Sequence, residues 1–339
     1  MKGAGYVVAT VTRGAVSEAG GAAIVYGVVL VYVLRSGVLG VGWTNTFQGV
    51  FMLLLAWGLG LYLPFRLHGG VAEMFAAIEQ ARPELLAAPG LTGAGEPWTL
   101  AQYSAAVVVS AIGFSFWPHL FMKAFTARDE ATLRRTVVLY PTFQVFLVPL
   151  FLIGFCGVLF HSVPERPDQI LPHMLMNLDL PALVVGLFCA GALAASMSSG
   201  DAMAHAAASI AVRDGWLRSR SASMAPAAER RLMRWVLVAV MILSYLVAMA
   251  YEGSLVVLLL SAYGAVVQFA PAVVAALYFP AVGGRAAIAG MVTGSVVTVL
   301  LIIWPQAQPI QLHPGLWGLA VNVAVLLAVS RSQPNASQL

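Results

Sequence analysis

Ser196, Ser198, Ser199, Asp201, His205 and Ser209 all fall inside one apolar run, from about Leu180 to Val212. On a helix, Ser198, Asp201, His205 and Ser209 are three, four and four residues apart and share one face, with Ser199 beside them. Hydroxyls and carbonyls are hard oxygen donors, the kind a dehydrated alkali cation needs. Ser198 and Ser199 offer two hydroxyls, and Asp201 offers a charge or a proton site. A carboxylate within a membrane helix is costly; it faces a bundle interior or a wet cavity and marks an ion or solute pathway. The same serines also suit close helix packing, because small residues let backbones approach and hydroxyls bond across helices. His205, one turn beyond Asp201, could simply pair with it.

Three further stretches combine polar or aromatic groups with apolar surroundings. Pro118 removes a backbone hydrogen bond from the run Ile112–Lys123, and Gly113 loosens the turn before it. Interrupted membrane helices of this kind expose carbonyls where a transporter binds its cargo. Phe114, Phe116 and Trp117 could line such a pocket, or form an interfacial belt near Lys123. The second stretch, Gly40–Gly49, carries Thr44, Asn45, Thr46 and Gln48 at a helix start, where an N-cap with an interfacial Trp43 is the plainer reading. The third places Ser261, Tyr263 and Gln268 ahead of Pro271.

The elements that must position these groups are membrane helices. The chain of 339 residues is 60% hydrophobic and only 9% charged, against about 25% charged in soluble domains. Its mean hydropathy is +0.87. A span needs roughly 20 apolar residues. On that rule the chain predicts about nine helices, at 19–39, 44–64, 100–122, 137–160, 181–211, 232–251, 254–279, 285–304 and 315–331. The first two are separated by a Gly-rich turn, Gly37–Gly42. With the N-terminus outside, the cytoplasmic loops hold Arg35; Lys123, Arg128, Arg134 and Arg135; Arg213, Arg218, Arg220, Arg230, Arg231 and Arg234; Arg285; and Arg331. The external side keeps Lys2, Arg13, Arg66, Arg82 and Arg166. This bias favours that orientation, a cytoplasmic C-terminus and an odd number of spans. The net charge of +4 therefore follows topology and is no sign of a nucleic-acid partner.

The two long external segments, 65–99 and 161–180, read as connecting loops, with a short interfacial helix around Val71–Gln80. The basic loop 213–234 reads as an orientation determinant, and the tail 332–339 as polar and disordered. Cys156 and Cys189 sit in apolar runs and are expected to be reduced, buried thiols. No paired-His metal motif, phosphate loop, nucleophile elbow or cofactor fingerprint is present, so the sequence points away from an enzyme.

Taken together, these stretches resemble the sodium/solute symporter family, which includes proline, pantothenate and monocarboxylate permeases. Gly40-Val-Gly-Trp-Thr-Asn-Thr-Phe-Gln-Gly49 is similar to that family's G-G-x-x-A-V-x-W-T-D-x-x-Q. The segment from Gly113 to Lys123, with Ala124 to Asp129 after it, resembles Q-P-H-x-x-x-R-x-x-x-A-x-D. Ala194-Ala-Ser-Met-Ser-Ser-Gly-Asp-Ala202 resembles A-A-x-M-S-T-A-D-S, and Val212-Arg-Asp214 stands where the family's helix ends in T-x-D. The resemblance implies an all-α polytopic membrane protein with a partial LeuT-like inverted-repeat fold: core helices four to ten plus two C-terminal helices. Residues 1–66 would end the first repeat, 67–99 form an external loop, 100–279 the second repeat, and 280–331 peripheral helices.

It further implies sodium-coupled symport of a small organic solute, such as a carboxylate or amino acid, across the plasma membrane. The sodium ligands would be the Ser198 and Ser199 hydroxyls and the Ala195 carbonyl. Phe114, Phe116, Trp117, Tyr263 and Gln268 would lie near the solute. Asp201, His205 and Asn45 remain for coupling or proton transfer; Asn45 stands where the family has Asp. The resemblance starts at the family's fourth core helix, which implies a version lacking core helices one to three. The alternatives are a symporter-like sensory or regulatory membrane domain, or an inactive fragment.

Overall fold

The structure, a computed structural model, describes residues 1–92, 95–219 and 224–332, without the side chains of 36–41. Arg220 and the tail after Ser332 lie outside the described residues. All long elements are helices: α1 (Lys2–Val11), α2 (Glu18–His68), α3 (Val71–Ala81), α4 (Leu100–Ser115), α5 (Pro118–Ala124), α6 (Glu130–Phe143), α7 (Leu147–Val158), α8 (Ile170–Asn177), α9 (Ala182–Ser209), α10 (Pro226–Ala250), α11 (Leu255–Val266), α12 (Ala270–Tyr278), α13 (Gly284–Ile303) and α14 (Pro314–Ser332).

Among the described residues, 8 helical stretches are long and apolar enough to cross a membrane, or 9 when α4 and α5 count as one broken span. The expected number of helices is thus present. Helix starts follow ordinary capping chemistry. The Ser17 hydroxyl accepts from the Gly20 N–H at 3.1 Å. Thr99 and Gln102 form a reciprocal capping box ahead of α4, and Asp129 accepts the Thr132 N–H at 2.7 Å ahead of α6.

The Gly-rich turn expected at Gly37–Gly42 is instead part of one continuous helical element, α2. A straight helix of that length would run about 76 Å, far beyond a hydrocarbon core of roughly 30 Å. The Tyr32 and Thr44 hydroxyls are hydrogen-bonded to each other. In a straight helix these residues would stand about 18 Å apart along the axis. The element is therefore bent sharply between them, and its halves, Glu18–Arg35 and Gly42–His68, serve as two spans. The second expected interruption lies at Pro118: α4 and α5 meet at 41°. Pro118 has no N–H to give, and it disfavours helical geometry at Trp117 before it.

Two short helices were not anticipated. The run Tyr6–Val11 belongs to α1, whose Ala4, Tyr6 and Ala9 are buried. The segment read as a loop at 161–180 contains α8, with Met174 and Leu175 buried. Both are too short to span a membrane, and their apolar faces are used against neighbours. The interfacial helix expected near Val71–Gln80 is α3, held down by Met74 and Ile78.

The chain divides into two compact units. The first comprises residues 1–83 and 122–252. Its core joins Ala4 of α1, Val25, Val29 and Val33 of α2, Ala204 and Ala208 of α9, and Leu237 and Met241 of α10. Small residues set the spacing here. A Cβ on Gly60 would run into Pro149 of α7, and one on Gly191 into Leu55 of α2. Cys156 and Cys189 are free thiols. The second unit comprises residues 84–121 and 253–339. There α13 and α14 meet through glycines: a Cβ on Gly290 would lie 2.8 Å from the Asn322 carbonyl, and one on Gly294 would lie 2.7 Å from that of Gly318.

Candidate functional site

In the first unit the candidate site is the middle of α9. Alanine and glycine keep this helix thin enough to pack closely, and its hydroxyls bond back along the same helix. Ser196 donates to the Ala192 carbonyl at 3.0 Å, and Ser198 donates to the Ala195 carbonyl at 3.1 Å. The residues expected around sodium share a side of the helix that is not packed: Ala195 and Ser199 are exposed and Ser198 half-buried. Because the Ser198 proton points to a backbone carbonyl, its lone pairs are directed outward.

Asp201 faces away from Ser199 and lies about 60° round the helix from Ser198. It is fully buried, and its Oδ1 accepts from the Ala202 N–H at 2.5 Å. Its Oδ2 has no hydrogen-bond partner, and neither has Nε2 of His205. The simple pairing of Asp201 with His205 is therefore not formed. Helical spacing puts them on one face without bringing their polar atoms into contact. The groups that act on the Asp201 carboxyl are instead the Lys123 ammonium and the Asn45 amide. Asn45 Nδ2 also reaches the Ser198 carbonyl at 3.5 Å. Its Oδ1 and the Gln48 Oε1, one turn further along α2, are buried without partners. The structure thus gathers Asn45, Ser198 and Asp201, with one side-chain oxygen each of Asn45 and Asp201 left without a partner.

In the second unit Trp117, at the break between α4 and α5, meets Tyr263 of α11 edge to face, with ring centroids 5.7 Å apart. Gly113 makes the contact possible: a Cβ there would sit 3.2 Å from the Tyr263 ring and 3.3 Å from its carbonyl. Phe114 and Phe116 are half-buried beside them in sequence. Gln268 does not join this aromatic group. It is 1% exposed. Its Nε2 faces the carbonyls of Gly264 and Gly315, both at 3.1 Å, and the Thr298 hydroxyl at 3.3 Å. Its Oε1 accepts from Asn322 Nδ2 at 3.2 Å. The amide expected near a solute is thus committed to a knot that ties α11, α13 and α14 together. Thr298 and Asn322, polar residues within apolar spans, are the sequence signal for this knot.

These features define a polytopic helical membrane protein with a broken helix and a hydroxyl-bearing, carboxylate-bearing helix. The model of the sodium:solute symporter family matches residues 17–294, and the chain belongs to that family. It is 27% identical to an uncharacterized symporter, YhjB, of Bacillus subtilis (strain 168), over 97% of this chain and 69% of the relative. It is 25% identical to sodium/proline symporter 2 of Staphylococcus saprophyticus, over 82% of this chain and 54% of the relative. The chain thus spans between about half and two-thirds of the length of these relatives. Among solved structures it superposes on a Na+-coupled sialic acid symporter in a substrate-bound outward-open state. The TM-score is 0.75 at 17% identity, covering 99% of this chain and 71% of that one. The fold is accordingly a LeuT-like helical fold, as the family resemblance implies.

Proposed function

We propose that this chain takes part in sodium-coupled symport of a small organic solute, such as a carboxylate or amino acid, across the plasma membrane. The observation that carries the reading is on α9, where Ala195 and Ser199 are exposed and the half-buried Ser198 between them places its hydroxyl 3.1 Å from the Ala195 carbonyl. These are the oxygens that replace water around a dehydrated alkali cation. The Ala195 carbonyl keeps a second lone pair while it accepts from Ser198, and the Ser198 oxygen keeps its own lone pairs, so both can meet an ion with that bond in place. The named solutes of the relatives, proline and sialic acid, are both carboxylates. Phe114, Phe116, Trp117 and Tyr263 supply an aromatic wall for such a cargo, and Gln268 supports that wall from behind through the α11 backbone. The inward sodium gradient favours loading from outside, and rocking of the helices about the site carries ion and solute across.

The distribution of charge supports a cytoplasmic C-terminus. Within the first unit, Lys2 contacts the Tyr251 carbonyl and Arg166 lies 3.8 Å from Glu18, which groups the segments assigned outside. Arg35, Arg231 and Arg234 likewise share one cavity among the segments assigned inside. A proton-coupled variant rests on a separate observation, the unpartnered Asp201 Oδ2 and His205 Nε2; uptake driven by a pH step without sodium would reveal it.

The test is uptake against sodium concentration. Ser198→Ala and Ser199→Ala each remove one ligand and raise the half-saturating sodium concentration by about tenfold, the equivalent of roughly 1.4 kcal/mol. An unchanged sodium dependence in both variants would overturn the assignment.

A further inference from the structure

Arg35 closes the first span of α2, and Arg231 and Arg234 stand on the opening turns of α10. Their side chains line one cavity of about 450 Å³ together with Leu34, Trp235 and Val238. Arg231, Arg234, Trp235 and Val238 follow at three, one and three residues, so a single face of α10 carries them. Among the described residues, none of the three arginines makes an ion pair or hydrogen bond. Arg213 nearby in sequence shows the contrast, held by Glu229 at 2.7 Å. Three guanidiniums converging on one cavity with no acid in its lining repel one another and call for an anion.

The cavity has an apolar floor and an apolar neighbour. Trp235, 68% exposed, stands beside the charges, where an amphipathic ring marks the headgroup level of a bilayer. A second groove, of about 760 Å³, also starts at Arg35 and follows α2 past Val31, Val28 and Ile24 to Ala23. That stretch of helix rises about 18 Å, close to the depth of one leaflet, half of a hydrocarbon core of roughly 30 Å.

We propose that this corner is a binding site for a diacyl phospholipid with an anionic headgroup. The guanidiniums take the phosphate oxygens, for which their planar fork is suited. Trp235 packs at the glycerol level, one acyl chain lies along the α2 groove, and the other covers Leu34 and Val238. A free phosphate or other small anion satisfies the arginines but leaves both apolar surfaces unused.

The experiment is native mass spectrometry of the purified full chain in an uncharged detergent, titrated with phosphatidylglycerol, phosphatidylcholine or inorganic phosphate. The expected result is retention of phosphatidylglycerol well above phosphatidylcholine. Arg231→Gln and Arg234→Gln should each weaken it by about tenfold, the usual worth of one charge-assisted contact. Ile24→Trp, which fills the acyl groove and leaves the charges intact, should weaken it too. Arg230→Gln, adjacent in sequence but outside the cavity, should not. The proposal is overturned if the arginine variants hold phosphatidylglycerol as well as the parent does. It is equally overturned if phosphatidylcholine binds as tightly, or if inorganic phosphate displaces the lipid at comparable concentration.

Discussion

Gln268 offers the sharpest test of the structure, because two lines of reasoning give it different work. Family resemblance put it near the solute; the structure buries it in a knot with Thr298, Asn322, Gly264 and Gly315. Gln268→Ala removes both amide hydrogens and the acceptor, in effect three hydrogen bonds between helices. Such bonds in membrane proteins average about 0.6 kcal/mol each, which gives about 2 kcal/mol. The cavity left by the missing side chain adds about 1 kcal/mol. A loss of about 3 kcal/mol corresponds to a fall in melting temperature of roughly 4 °C for a chain of this size. The assay is thermal denaturation in detergent, paired with solute uptake well below the melting point. Gln311→Ala is the control: Gln311 is exposed and donates to the Pro305 carbonyl at 3.2 Å, so its loss should stay within about 0.5 kcal/mol. The reasoning is refuted if Gln268→Ala melts within about 1 °C of the parent while its half-saturating solute concentration rises. That result would place the amide at the solute after all.

Two further perturbations test the packing and the protonation of the fold. A side chain at Gly60 meets Pro149 backbone atoms at 2.7 Å, so Gly60→Val should cost about 1–3 kcal/mol by overpacking, read as a lower melting temperature, whereas Gly58→Ala, with open space around it, should be tolerated. His313 accepts the Gly315 N–H on Nδ1 at 3.1 Å and donates from Nε2 to the Leu260 carbonyl at 3.1 Å; burial holds its pKa below the ordinary histidine value, partly opposed by that carbonyl. The unfolded chain therefore takes up the proton first as pH falls, and stability should decline from about pH 6.5 downward while remaining level above it; the same slope in His313→Asn would show that another group is responsible.

The spans were legible because a hydrocarbon core imposes its own length on the sequence. The broken span was legible because Pro118 forbids a backbone bond wherever it stands. What escaped were features set by neighbours. Tyr32 and Thr44 bond across a bend that leaves α2 continuous, so a glycine-rich stretch read as a turn was helical. The helices α1 and α8 are short, and only their packing distinguishes them from loops.

The faces of α9 show most plainly where sequence reading stops. In a soluble helix the apolar stripe identifies the buried side. In a membrane helix the lipid and the protein interior are equally apolar, so periodicity does not tell them apart. Polar residues give the only direction, and here they point two ways. Ser199 is exposed while Asp201, two residues on, is completely buried. Ser198, Asp201, His205 and Ser209 do share one face, but it is the side turned toward the interior, and Ser199 beside it is the residue left open. The packed side carries Ala204 and Ala208 into the core with α1, α2 and α10. A carboxylate buried there, acted on by Lys123 and Asn45, belongs to the rigid part of the unit, and the Ser199 hydroxyl opposite it belongs to the part left free to meet an ion. Division of labour between two sides of one helix is a tertiary property, and only the packing around α9 reveals it.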